Sequence, residues 1–152
     1  MAAPEKKIVV KQPIRNGAFA ERGQLDVIKW DVFPIKNGEV LQLVFESVNS
    51  TWRQGVFLRC DTSIQINGQT SQSFVLWQDS APSKAIMSCT TTNGILDVYN
   101  VWDSGRTNGK ESQAYSSGMI VEELPLGRRY RCNDIGFETK FDKLIFRIER
   151  GK

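Results

Sequence analysis

No histidine occurs in the 152 residues, and that absence removes a large part of enzyme chemistry. Ser-His and Cys-His nucleophile pairs, imidazole acid-base steps and the commonest metal ligand are all excluded. The three cysteines, Cys60, Cys89 and Cys132, form no CxxC pair, so neither usual ligand set for zinc is present. An odd, scattered set of cysteines predicts free thiols in a reducing compartment rather than a disulfide framework. Apolar runs are short, and none is long enough to span a bilayer. The N-terminal MAAPEKKIVVKQP lacks the apolar segment of a signal peptide. The expectation is a protein of the cytoplasm, or one released without an N-terminal signal peptide. GxSxG, a phosphate-binding loop and HExxH are also missing. Catalysis would need a carboxylate pair, with Asp97, Asp103, Glu122 and Glu123 available. Adjacent Glu122 and Glu123 face opposite ways in a strand, and nothing in the sequence brings two others together. The protein is therefore expected not to be an enzyme, and to need no cofactor.

What is present is strand periodicity. Hydrophobic residues make up 40% of the chain and charged ones 24%, the balance of a single globular domain spanning 1–152. QLDVIKWDVF sets Ile28, Trp30 and Val32 on one face against Lys29 and Asp31. EVLQLVFESV aligns Leu41, Leu43 and Phe45, and TWRQGVFLRC aligns Trp52, Val56, Leu58 and Cys60 against Arg53 and Arg59. ILDVYNVW, GMIVEEL and KLIFRIER are also strand-like. Asn37-Gly38, Asn67-Gly68 and Asn93-Gly94 are the strongest short-range hairpin signals, because both residue types tolerate positive φ. DSGRTNGKESQ (103–113) has no apolar residue and predicts a long exposed loop. Many short strands with frequent turns mean an all-β sandwich or barrel. The fold expected is a single antiparallel β-sandwich of the jelly-roll kind.

The net charge of +3 is uneven. Residues 128–152 carry eight Lys/Arg and four Asp/Glu, a local +4. Alternation in a strand puts Arg129 and Arg131 on one face, with Arg128 and Tyr130 on the other. So thin a patch, without an RNP-type motif, predicts a basic edge strand guarding a sheet and no nucleic-acid partner.

The same C-terminal stretch, RRYRCNDIGFETKFDKLIFRIERGK, places Asn133, Asp134, Glu138 and Asp142 in the ten positions 133–142, just before an apolar strand. Calcium takes six to eight oxygens of this type from a tight turn. The ending resembles that of small bacterial fucose- and mannose-binding lectins that use two calcium ions, and of related calcium-turn β domains. On that resemblance Asn133-Asp134 stand for the acidic pair, Ile135-Gly136 for the turn, Phe141 for the aromatic, and LIFRIERG for the last strand. Lys140 and Lys143 stand where carboxylates are expected. At about 4 Å one unit charge is worth roughly 4 kcal/mol at an effective dielectric of 20, so two ammonium groups remove most of a calcium site's attraction. The resemblance implies a lectin-like sandwich whose turn is a metal-free relic. An unrelated acidic loop before a final strand is the other reading.

Four tryptophans are present. Trp30 and Trp52 fall on apolar strand faces and are expected in the core. Trp77 and Trp102 sit where strands run into polar loops. An aromatic in such a place stacks on sugar rings while polar neighbours bind hydroxyls, which makes Asn100, Trp102, Asp103 and Arg106 the candidate ligand-binding set. The alternative for a strand-end tryptophan is a buried plug. Asn49-Ser50-Thr51 matches the glycosylation acceptor pattern, expected to go unused without a secretory signal. The function expected is non-catalytic, lectin-like carbohydrate recognition. The alternative is a protein-interaction or self-assembling subunit that uses a sheet edge or apolar face.

Overall fold

A computed structural model describes residues 10–107 and 109–151; the N-terminal stretch behind the compartment expectation lies largely outside them. The chain is all-β, but the sandwich expectation is corrected: eight antiparallel strands close into a barrel. The ring is formed by β2 (Ile28–Pro34), β3 (Glu39–Val48), β4 (Arg53–Ile66), β6 (Lys84–Thr90), β7 (Ile95–Asp103), β9 (Gly118–Leu124), β10 (Gly127–Asn133) and β11 (Leu144–Arg150). Their order around it is β2-β9-β10-β11-β3-β6-β4-β7. Closure comes from β2, which pairs with β9 at Ile28↔Met119 and with β7 over Asp31↔Val98 to Pro34↔Ile95. Alternating strands suit a sandwich and a barrel equally, and only this long-range pairing separates the two. Register shifts in β4 between Arg59 and Ile64, and in β11 between Ile145 and Phe146, supply the local bends that a closed sheet requires.

Three short elements and one long one lie off the ring. β1 (Ile14–Arg15) pairs with β2, and β8 (Glu111–Ser112) folds back onto β7 from within the expected long loop. β5 (Gln69–Trp77) pairs with β4. The helix α1 (Gly17–Glu21) had no periodic signal because it is a single turn. Its start is set by Asn16, whose Oδ1 accepts from the Ala18 and Phe19 amides, the usual N-cap arrangement.

Of the three Asn-Gly pairs at 37–38, 67–68 and 93–94, one closes a hairpin. Asn67 (φ 52°) and Gly68 (φ 79°) join β4 to β5, and positive φ at both positions is the type I′ requirement. The Asn37-Gly38 and Asn93-Gly94 turns connect strands that are not neighbours. They meet instead: Ile35 N donates to Gly94 O at 2.9 Å, and Thr91 N to Asn37 Oδ1 at 3.1 Å.

The barrel interior is filled. Leu41, Leu43, Val56, Leu58, Ile64, Met87, Leu96, Val98, Phe146 and Ile148 are all fully buried. Eight strands enclose just enough width for such side chains, so ligand chemistry is left to the barrel ends and connections. Phe19, Val27 and Phe141 form a smaller cluster under α1. Trp30 is half-buried and packs against the core from its margin: its ring lies 5.1 Å from Tyr99, which stacks on Phe57 at 4.5 Å, while Asp31 and Phe33 are the buried members of β2.

The basic C-terminal strand is not an edge, because β11 lies between β10 and β3. The outward arginines of β10 and β11 are matched. Arg129 pairs with Glu46 at 3.0 Å and Glu122 at 3.3 Å, and Arg147 with Glu46 at 3.2 Å and Glu149 at 2.7 Å.

Candidate functional site

A cleft of about 540 Å³ opens between the β3–β4 connection and the turn that follows β10, lined by Val48, Asn49, Ser50, Thr51, Trp52, Asp134 and Lys143. The two segments hold each other. Asn49 N donates to Lys143 O at 3.0 Å, and Lys143 N to Cys132 O at 3.0 Å. The Asn49 amide donates to Asp142 Oδ2 at 3.0 Å. Ser50 Oγ and Gln54 Nε2 each donate to Asp134 Oδ2 at 3.1 Å, and Ser50 Oγ also accepts from Trp52 N at 3.1 Å. A polar N-S-T run between two strands has no ladder to join, so its donors serve the facing turn.

Asn133, the last residue of β10, anchors that turn. It is fully buried; its Oδ1 accepts from Gly118 N, and its Nδ2 donates to Glu138 O at 2.9 Å and to Ser116 O at 3.4 Å. Asn100 Nδ2 donates to Asn133 O at 2.8 Å. The two regions singled out in the sequence, one on β7 and one at the C-terminus, are therefore in direct contact.

Asp134 is only 6% exposed. Burial pushes its carboxyl above the ordinary range, against the Ser50 and Gln54 hydrogen bonds and the nearby Lys143 charge. Gln54 Oε1, behind it, is buried without a protein partner, as is Asp142 Oδ1. Across the cleft the half-buried Trp52 has the Arg106 guanidinium 5.1 Å from its ring centroid. Arg106 is steadied by Ser104 Oγ at 3.2 Å and Glu111 at 3.8 Å. Ser104's hydrogen bonds hold the Glu111 carboxyl below its usual range, aided by the Arg106 charge.

The candidate residues thus separate into two groups. Asp134 lines the cleft, and Arg106 lies outside the lining, over the Trp52 ring. Asp142 buttresses it through Asn49. Asn100 and Trp102 are buried, with Trp102 1% exposed and no ring surface for a ligand, and Asp103 accepts from Gly105 N at 2.9 Å to shape its own loop. Glu138 turns its carboxylate onto Lys140 N at 2.9 Å. Asn133, Asp134, Glu138 and Asp142 point to four different partners and do not converge. Among the described residues no group of three or more His, Cys, Asp or Glu side chains is placed to hold a metal ion.

Alternation predicts Trp52 in the core, and the sequence marks Asn49, Ser50 and Thr51 only as an acceptor pattern. The cleft makes them its wall. The available signal was the polar run itself, three hydrogen-bonding residues before an aromatic at the start of a strand.

The carboxylates considered for acid-base work are occupied elsewhere. Asp97 accepts from Trp30 Nε1 at 3.1 Å, and Glu122 and Glu123 pair with Arg129 and Arg128. In comparison with known proteins, the chain matches no family model, no curated protein and no solved structure.

Proposed function

We propose that this protein is a non-catalytic carbohydrate-binding module whose ligand sits in the cleft between Trp52 and Asp134. The carrying observation is the half-buried Trp52 ring beside hydroxyl, amide and carboxylate groups. A sugar ring has an apolar C–H face that stacks on an indole. Its hydroxyls each need a donor and an acceptor, which the Thr51 hydroxyl, the Asn49 side-chain carbonyl and the Asp134 carboxylate offer. Arg106, outside the cleft lining, lies over the Trp52 ring at 5.1 Å and backs the indole. The filled barrel favours this reading, since it leaves an end cleft rather than a lumen for binding.

The test is calorimetric titration with a panel of neutral and acidic mono- and oligosaccharides, with calcium and with chelator. Binding is expected for at least one sugar class, weakened about tenfold or more by Trp52→Ala or Asp134→Asn, a loss of about 1.4 kcal/mol or more. No binding to any sugar, or binding that neither substitution weakens, overturns the proposal.

A further inference from the structure

We propose that two copies of this chain associate by antiparallel pairing along the outer edge of β5. Barrel closure protects the backbone of every ring strand except where a neighbour runs short. Among the described residues, β1 and β8 span two residues each, and β5, with nine, is the one long strand that pairs on a single side. An unpaired row of N–H and C=O groups is a template for another strand.

Edges of monomeric proteins are blunted by charge, proline or a bulge. β5 reads QTSQSFVLW, with no charged residue, proline or glycine, and Gln69, Thr70, Ser71, Gln72 and Ser73 are exposed. The β4–β5 irregularity falls on the β4 side. Within the strand, Ser71 Oγ accepts from Ser73 N at 3.3 Å, a weak contact that a ladder bond can replace.

Neutrality is also what selects a second copy as the occupant. Two-fold pairing sets each strand against itself, so every charge near the axis would meet its own sign. Ring strands do carry outward charges, such as Arg129 and Arg131 on β10 and Arg147 on β11, each matched by a glutamate of the same chain. On β5 serine, threonine and glutamine both donate and accept, so they pair with copies of themselves. The contact does not end at the backbone. A cleft of about 240 Å³ with a mixed lining, Phe74, Trp77 and Pro82 beside Asn67, Gln69 and Ser80, adjoins the strand and can take side chains of the partner.

Sedimentation of the full chain over a wide concentration range tests this, with amide hydrogen exchange at both extremes. A monomer–dimer equilibrium is expected, with exchange of the Gln69–Trp77 amides slowed at high concentration. Ser71→Lys/Ser73→Lys should raise the dimer dissociation constant by at least about tenfold, as like charges face each other across the axis. Ile86→Lys, at an exposed site on β6, should leave it unchanged, and far-ultraviolet dichroism verifies that both variants fold. A monomer at every concentration overturns the proposal. So does a dimer whose β5 amides are unprotected or that the double lysine variant preserves, as it would then use another surface.

Discussion

The Tyr130 hydroxyl donates to Asp31 Oδ2 at 2.5 Å, joining positions 99 residues apart on β10 and β2. Arg128 Nη1 reaches the same oxygen at 2.9 Å and Val32 O at 3.2 Å. Asp31 is 2% exposed and Tyr130 fully buried. A carboxylate taken from water costs several kcal/mol unless its oxygens are matched, and here a cation and a hydroxyl match one of them. Burial, and then the Asp31 charge, push the Tyr130 phenol well above its usual range, so it remains a donor.

Breaking this triad from its two ends should therefore cost different amounts. Tyr130→Phe removes one hydrogen bond and keeps the ring stacked on Phe146 at 4.8 Å, for a loss of about 1–2 kcal/mol. Asp31→Ala leaves Arg128 with only the exposed Glu123 as counter-ion and the buried Tyr130 hydroxyl without its acceptor, so a larger loss of about 2–4 kcal/mol is expected. Urea denaturation of the two variants measures the difference. Equal losses would show that the ion pair contributes nothing.

Gly127→Ala should be severe although Gly127 is not at positive φ. A Cβ there would lie 1.9 Å from Ile148 O and 2.9 Å from Glu149 Cα, both backbone atoms of β11 that cannot move alone. The expected loss is about 2 kcal/mol or more. Gly17→Ala, where a Cβ meets nothing within 4 Å, is the control and should be nearly neutral.

Asp61 sets an acid limit. Burial works against its ionised form, but hydrogen bonds from Thr92, Thr91 and the Asn93 amide prevail and lower its pKa to about 2. A depressed folded-state pKa gives stability that is present above the unfolded value, about 3.9, and is lost as pH falls through about 2. Asp61→Asn should be destabilised at neutral pH, with the gap to the parent narrowing between about pH 4 and pH 2. A gap that is constant with pH would rule out the charge as the cause.

Asp134 acts in the opposite sense. Its carboxyl is raised by burial, so the unfolded chain ionises first as pH climbs from about 3.9. The folded state loses stability through that window. Asp134→Asn should remove this decline, so the variant gains on the parent as pH rises above about 4. Melting curves across the window test it, and a parent that gains stability relative to the variant would reverse the assignment.

Calcium should do little. The four oxygen-bearing side chains of the C-terminal turn face separate partners, and Lys143 lies among them. A ligand of the native state raises stability by RT ln(1 + L/Kd), where L is the free ligand concentration. Millimolar calcium should leave the melting midpoint within about one degree of its value in chelator. A rise of several degrees would mean that the turn rearranges around the ion.

Strand content, most turn positions and the opposed faces of β10, with Tyr130 inward and Arg129 and Arg131 outward, follow from residues within a few positions of each other. Local alternation of polar and apolar side chains is enough to specify them. Asp134 and Arg106 could be picked out the same way, as polar residues crowded beside an aromatic or a turn. Closure of the sheet could not, because it depends on β2 finding β7 and β9 at separations no window of sequence spans. Asp31 illustrates why: alternation places it outside, yet Arg128 and Tyr130, nearly a hundred residues later, make its burial tolerable. Trp52 and the Asn49–Thr51 run became the wall of a cleft for a similar reason, since only tertiary packing brings the turn after β10 against them. Local pattern decides what each strand can bury, whereas distant pairing decides which strands meet and what their connections face.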